Sequence, residues 1–378
     1  MKAGWQSKTF EECIEKVTYT TKIQRKDFLD VGAFPIVSQE DSFINGYWDD
    51  AEDVFRVEKP LVVFGDHTKV LKYIDFDFVL GADGVKLLLP KEFLVPKFFY
   101  YQLQTAQLDS LGYARHYKLL KGLEIKYPDF AEQHRIVALL DEAFDGIATA
   151  KANAEKNLQN ARALFESHLQ AVFTERGEGW VETTLCDITG GVFTGPFGSL
   201  LHKSDYVENG IPLVNPAHIM NNGIQPDYRK TVSTETARRL SSYVMQAGDI
   251  VIARRGEMGR CALVTDVEAG WLCGTGSFVI KPSNRCDPRY LVRLLRSEGC
   301  RRRLEEIAGG AVMPNLSNTA LGNFAVSLPP IDRQLAVLDE IDSVAAETQR
   351  LESLYQRKLA ALDELKQSLL HQAFSGQL

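Results

Sequence analysis

Pro128-Asp129-Phe130-Ala131-Glu132-Gln133 and Pro329-Pro330-Ile331-Asp332-Arg333-Gln334 open two stretches that match without a gap at an offset of 201 residues. From Leu120 to Phe173 the offset never changes. It pairs Leu120 with Leu321, Ile125 with Val326, Asp141 with Asp342, Leu158 with Leu359, Leu169 with Leu370 and Phe173 with Phe374. A constant offset is the mark of a duplicated architecture. Working back towards the start of each copy, the offset is smaller: 192 between Pro96-Lys97-Phe98-Phe99 and Pro288-Arg289-Tyr290-Leu291, and 175 between Gly4-Trp5 and Gly179-Trp180. Insertions were therefore accepted early in each copy and refused late. Each copy reads as a variable globular module followed by a segment of restricted length.

The restricted segment reads as a long helix. Asp129 to Glu132 resembles a capping box behind Pro128, the body to about Arg176 has no Gly or Pro except Gly146, and Gly177 is a natural stop. Its counterpart starts after Pro329-Pro330 and meets neither residue until Gly376. In the second helix Ile341, Val344, Thr348, Leu351 and Tyr355 recur at coiled-coil spacing, and Leu359, Leu362, Leu365 and Leu369 continue after a small phase shift. The first carries Ile136, Leu140, Phe144, Ile147, Ala154, Leu158, Ala161, Phe165, Leu169 and Val172. At ~1.5 Å per residue each helix is roughly 65 to 70 Å long, more than one small domain can cover. The two stripes are expected to bury each other, with Leu140, Phe144, Leu158, Phe165, Ile341, Val344, Leu351, Tyr355 and Leu359 as core.

The fold class expected is α+β: mixed modules at residues 1–128 and 177–330, long helices at 129–176 and 331–378. In the first module Phe43-Ile44-Asn45-Gly46-Tyr47-Trp48 reads as a hairpin with a two-residue Asn-Gly turn. Leu61 to Phe64 and Val70 to Ile74 flank the polar loop Gly65-Asp66-His67-Thr68-Lys69. In the second module strands at Asp249 to Ala253 and Cys261 to Val264 flank Arg254-Arg255-Gly256-Glu257-Met258-Gly259-Arg260.

The chain has 378 residues, 45% hydrophobic and 25% charged, the balance of a globular protein with room for two or three domains. No apolar run suits a membrane span or a signal peptide, which implies a cytoplasmic protein without membrane contact. Six cysteines at 13, 186, 261, 273, 286 and 300 lack zinc-ribbon spacing and read as reduced, mostly buried thiols, with no metal site. The formal net charge of −7 argues against a surface that is basic all over. The distribution says more. Both helices are acidic, whereas the modules are near neutral, and the first uses 14 Lys and 3 Arg where the second uses 3 Lys and 13 Arg. Opposite usage inside one duplicated frame suggests two modules with different targets.

Arg254, Arg255 and Arg260 offer planar forks suited to guanine O6 and N7 or to phosphates. Arg301-Arg302-Arg303, followed by Glu305-Glu306, reads as solvated helix surface. Tyr113-Ala114-Arg115-His116-Tyr117-Lys118 mixes aromatic and basic residues, and at the 201 offset it falls on Pro314-Asn315-Leu316-Ser317-Asn318-Thr319, a stretch able to bond base edges. Catalytic patterns are missing. Asn215-Pro216-Ala217-His218 and Leu328-Pro329-Pro330-Ile331 do not make an amino-methyltransferase motif. Gly274-Thr275-Gly276 is too short for a cofactor loop, and Gly195-Pro196-Phe197-Gly198-Ser199 with Lys203 resembles a phosphate loop only in composition. No catalytic residue is assigned.

The assembled pattern resembles the specificity subunit of type I restriction-modification enzymes. The residues that carry the likeness are the twin Trp openings, Glu132-Gln133-x-x-Ile136-Val137 behind a proline, Phe197-Gly198-Ser199-x-Leu201 with Tyr206, and Gly210-Ile211-Pro212. Gly248-Asp249-Ile250-Val251 leading to Gly256-x-x-Gly259, and Asn315-Leu316-Ser317 before Pro329-Pro330, continue it. Phe64-Gly65-Asp66-His67-Thr68 and Gly81-Ala82-Asp83-Gly84-Val85-Lys86-Leu87 are similar to one recurrent kind of target-recognition domain. The second helix departs by opening Asp332-Arg333-Gln334 where Glu-Gln is usual. The resemblance implies two target-recognition domains separated by an antiparallel coiled coil, each reading half of an interrupted double-stranded DNA target. It also implies two modification subunits that use S-adenosylmethionine to methylate adenine, and restriction subunits that use ATP and Mg, with no cofactor in this chain. The candidate DNA-binding residues are then Asp66, His67, Thr68, Lys69, Arg115, His116, Tyr117 and Lys118 in the first module. In the second they are Ser199, Lys203, Arg254, Arg255, Arg260, Asn315, Ser317 and Asn318. A non-DNA protein scaffold, or a hydrolase or transferase with an unfamiliar site, are the alternatives.

Overall fold

The computed structural model describes all residues except 1–3, 82–83, 107, 110–111, 113–114, 175–176, 310–314, 376 and 378, and the side chain of Ser199. Ala82, Asp83, Tyr113, Ala114, Pro314, Arg176 and Gly376, named above, lie outside the described residues, as does the Ser199 side chain.

The chain folds as two units, residues 1–157 with 355–378, and residues 158–354. They are built alike. In the first, Gln6–Thr9 pairs with Glu124–Tyr127 and brings the module's two ends together. Val181–Thr184 pairs with Ala325–Leu328 in the second. Each module then has an antiparallel four-stranded sheet in one order: Ile14–Glu15, Val85–Pro90, Leu61–Gly65, Leu71–Ile74, and Thr189–Thr194, Ser277–Pro282, Ile250–Ala253, Cys261–Leu263. The two central strands of each are buried over most of their length, which their β-branched and aromatic content suits. A nine-residue helix with Pro at its first turn follows, Pro96–Gln104 and Pro288–Arg296. A second, mixed sheet completes each module, with Phe78–Gly81 parallel to Phe34–Val37 in the first and Ile211–Val214 parallel to Leu272–Cys273 in the second.

The long helices run Phe130–Thr174 and Ile331–Ser375, 45 residues each and in register at the 201 offset. Asp129 caps the first, its Oδ1 accepting from the Glu132 amide at 3.0 Å. Their halves are shared between the units. Ile136 and Leu140 of the first helix meet Leu370 and Ala373 of the second in the core of the first unit. Val172, Phe173, Phe165 and Leu169 meet Val337, Leu338 and Ile341 in the core of the second. Within each unit the helices are therefore antiparallel. Lys151 pairs with Asp363 in the first unit, and Arg162 with Glu352 at 2.7 Å in the second. Matched phenylalanines close each unit: Phe374 lies 5.1 Å from Phe98, and Phe173 lies 5.6 Å from Tyr290.

Leu140 and Ile341 are fully buried, whereas Phe144, Leu158, Phe165, Val344, Leu351, Tyr355 and Leu359 are half-buried, so the seam is narrow. Two expectations fail. Leu365 is 47% exposed, because the buried stripe steps from Leu362 to Lys366, whose Nζ lies over the Phe144 ring, and on to Leu369 and Leu370. Asn45-Gly46 is not a two-residue turn. Gly46–Trp48 pairs with Phe34–Val37 across the longer connection 38–45, and the Asn45 side chain caps that connection by accepting from the Ser38 amide at 2.8 Å. Cys13, Cys261, Cys273, Cys286 and Cys300 are buried free thiols, and burial pushes Cys261 up to about 12, while Cys186 is exposed. Among the described residues no helix is long and apolar enough to cross a membrane.

Candidate nucleic-acid interface

In the second unit the strands Ile250–Ala253 and Cys261–Leu263 carry the Arg254 to Arg260 loop, and the chain around residue 315 lies beside it. The Leu316 amide donates to the Arg254 carbonyl at 3.0 Å, and Arg255 bridges to Asn315. Met258 is buried and Gly259 has a φ of +74° with a Cβ position only 2.8 Å from the Leu295 carbonyl, so the loop is fixed at its far end.

The three arginines separate in role. Arg254 is half-buried; its Nε donates to the Leu316 carbonyl at 3.2 Å and its guanidinium lies 5.6 Å from the Phe278 ring centre. Arg260 pairs with Glu257 and reaches the Pro216 carbonyl at 3.4 Å. Arg255 is the exposed one, and the Glu257 carboxylate is paired with Arg260. Arg254 and Arg255 line a pocket of about 310 Å³ with Thr194, Phe197, Thr275, Ser317 and Asn318, above Phe278. None of these lining residues is acidic, which suits an anionic ligand. Ser317 also caps the short helix Asn318–Gly322, its Oγ accepting from the Ala320 amide at 3.0 Å. Lys203 is exposed on the turn Lys203–Asp205 and is not in the pocket.

Thr194, Thr275 and Phe197 were not read from sequence as one group. The signal was in their glycines: a Cβ on Gly195 would lie 2.0 Å from the Gly274 carbonyl, so this close approach needs glycine at 195, while a Cβ on Gly274 would meet the Asn215 side chain at 2.3 Å. Arg302 pairs with Glu298, and Arg303 donates to the Ala325 carbonyl and covers Phe324; this is helix surface, as expected.

The first unit repeats the arrangement with other chemistry. The loop after Gly65 is tied to the segment at 115–118 as its counterpart is tied to 315–318. The His116 amide donates to the Asp66 carbonyl at 2.7 Å, and the Tyr117 amide donates to Asp66 Oδ1 at 2.7 Å. Asp66 and His116 are 2% and 1% exposed. As candidate DNA contacts both require correction: they hold the two segments together, and their side chains are spent inside the module. Tyr117 is half-buried against Phe10, and burial raises its phenol. Thr68 donates to the Gln39 carbonyl at 2.5 Å and Lys69, with a φ of +63°, donates to the Leu108 carbonyl at 3.3 Å. Arg115, Lys118 and Thr68 are exposed, with His67 half-buried beside them. Gln39, missed in the sequence, joins this surface to connection 38–45, its Oε1 accepting from the His67 amide at 3.2 Å.

That connection rests on a buried lysine. Lys72 Nζ donates to the carbonyls of Ser38 and Ser42 at 2.9 and 2.5 Å and to Asn45 Oδ1 at 3.0 Å. Burial pulls its pKa down to about 8, against the opposing pull of Glu40 and Asp41. Among the described residues no group of three or more His, Cys, Asp or Glu is placed to hold a metal ion.

Comparison with known proteins agrees with the duplication of the chain. The chain is 24% identical over 350 residues to the specificity subunit of the type I restriction enzyme EcoR124I/EcoR124II of Escherichia coli, covering 87% of this chain and 84% of that protein. It is 22% identical over 281 residues to the type I restriction enzyme MjaVIII specificity subunit of Methanocaldococcus jannaschii, covering 69% and 63%. A solved chain of a type I R-M system superposes with a TM-score of 0.72 at 18% identity, covering 100% of this chain and 99% of that one. The HsdS subunit from Thermoanaerobacter tengcongensis gives 0.60 at 17%, covering 100% and 98%. These two likenesses establish the fold. Residues 2–159 and 179–357 each match the type I restriction modification DNA specificity domain. With two copies of that domain spanning most of its length, the chain belongs to the type I restriction-modification DNA specificity family.

Proposed function

We propose that each module reads one half of an interrupted double-stranded DNA target, and that the paired helices set the number of base pairs between the halves. The observation that carries this reading is the duplicated surface. One frame presents Arg255, Ser317 and Asn318 in the second unit and Thr68, Arg115 and Lys118 in the first. A shared strand order with unequal loops and side chains is what two half sites of different sequence require, since base edges specify and phosphates only position. The equal 45-residue lengths of the helices support the spacing role.

The same proposal assigns catalysis to partners: two modification subunits that use S-adenosylmethionine to methylate adenine, and restriction subunits that use ATP and Mg. A matched pair of exposed leucines supports two equivalent partners. Leu164 and Leu365 are 201 residues apart in the sequence and 66% and 47% exposed, apolar positions kept on the outside of both helices. Methylation-sensitive sequencing of DNA modified by the complex tests the reading. An asymmetric motif with two specified halves and a fixed unspecified spacer is expected; a continuous motif, or none, would contradict it.

A further inference from the structure

Phe197 is 58% exposed, yet the chain on either side of it is fixed. Before it, Gly195 and Pro196 are buried; the Gly195 amide donates to the Ser277 carbonyl at 3.1 Å, against the Gly274 backbone that leaves no room for a side chain. After it, the Leu200 amide returns to the Phe197 carbonyl at 3.3 Å, and the Leu200 carbonyl accepts from Arg239, which also pairs with Asp205 at 2.9 Å. A large apolar ring is thus held in water by a braced loop, on the rim of a pocket that also holds Arg254 and Arg255 and whose lining has no carboxylate. Folding alone gives no reason to leave it there, since burying a ring of this size is favourable.

We propose that Phe197 lays its ring against a partly unstacked base step beside the pair read by Arg255. It would add affinity and distort the duplex without choosing a sequence; this rests on the reading of the second module as a DNA reader. An aromatic face accepts any base, because every base has a π-face, and apolar wedges at base steps bend DNA so that more protein surface meets it. Arg255, with donors in a fixed fork, supplies the choice of base that a phenyl ring cannot.

The test uses the intact complex formed by the full chain, with Phe197→Ala, Phe197→Leu and Arg255→Ala. Affinity is measured for the target and for a random duplex over a range of salt, and bending from the end-to-end distance of a doubly labelled duplex. Phe197→Ala should weaken both duplexes alike, on the order of ten-fold, as expected for one lost stacking contact. The salt dependence should not change, because no phosphate contact is lost, and the bend should shrink. Phe197→Leu should retain part of both effects, and thermal unfolding of all variants should match the parent, since the ring is not in the core. Unchanged affinity and bend for Phe197→Ala would overturn the proposal. So would a loss restricted to one base pair, or one accompanied by a flatter salt dependence. Arg255→Ala separates this from the underlying reading: relaxed preference at one base pair shows that the module reads DNA even where Phe197 proves idle, whereas no effect from either variant removes both.

Discussion

Gln133 and Gln334 make the same three hydrogen bonds in their separate units. Gln133 Oε1 accepts from the Val95 amide at 2.8 Å, and its Nε2 donates to the carbonyls of Phe93 and Pro128, both at 3.0 Å. Gln334 Oε1 accepts from the Asp287 amide at 2.8 Å, and its Nε2 donates to the carbonyls of Arg285 at 3.0 Å and Pro329 at 2.9 Å. Both side chains are buried. Each fastens the first turn of a long helix to the loop that starts the module's nine-residue helix. Only an amide, with donor and acceptor on one group, satisfies that set.

Replacing either glutamine by Glu keeps the shape but turns carbonyls that accepted hydrogen bonds against a buried carboxylate. Each substitution is expected to destabilise its unit by about 2–4 kcal/mol, in the range for a broken buried polar network. Thermal unfolding and limited proteolysis would show it, with cleavage appearing in the altered unit first.

Arg254 and Arg255 are neighbours with opposite predicted behaviour. Arg254→Ala removes a bond to the Leu316 carbonyl and the cover over Phe278, so it should lower the unfolding temperature. Arg255→Ala should leave stability within about 0.5 kcal/mol, as for an ordinary surface site, and weaken target binding by ~1–3 kcal/mol with relaxed preference at one base pair. Paired melting and binding measurements check both halves of this statement.

Lys72 gives a pH signature. Its pKa is lowered from 10.5 to about 8 in the folded protein, so between those values the unfolded chain holds a proton that the folded chain has released. Its contribution therefore makes stability rise as pH increases through that window. Comparing melting temperatures of the parent and Lys72→Met from pH 7.5 to 10.5 should show that the parent gains relative to the variant. A constant difference would mean that the lysine is not depressed.

The duplication, the helices and the hairpin loops were legible because they depend on periodicity and offset, which the sequence displays directly. Leu365 was misassigned because a stripe of leucines looks the same whether it continues at three or at four, and only packing against Phe144 shows Lys366 taking the place. The Asn45-Gly46 turn was misread because Asn45 answers to Ser38 and Lys72, contacts made by the fold and not by neighbours in sequence. Asp66 and His116 looked like surface chemistry for the same reason: polar residues in a loop give no sign that the loop closes on itself.

Insertions test the helices as a spacer. Four residues after Glu155 and four after Gln356 add ~6 Å and turn each helix by a net ~40 degrees; seven add ~10 Å and turn it by ~20 degrees the other way. Both keep the apolar seam approximately in phase. A folded complex with unchanged half sites and a spacer longer by ~2 or ~3 base pairs is expected, at ~3.4 Å per pair. Two-residue insertions rotate the seam by ~200 degrees and should abolish assembly, as read by size-exclusion chromatography.

The division of labour between the modules is tested most directly by sequencing the methylated sites left by complexes carrying either Arg255→Ala or the pair Arg115→Ala and Lys118→Ala. Arg255→Ala is expected to relax one half of the motif only, the Arg115 and Lys118 pair to alter the other half only, and the spacer to be the same in both. Changes in both halves from either variant, or a motif untouched by both, would contradict it.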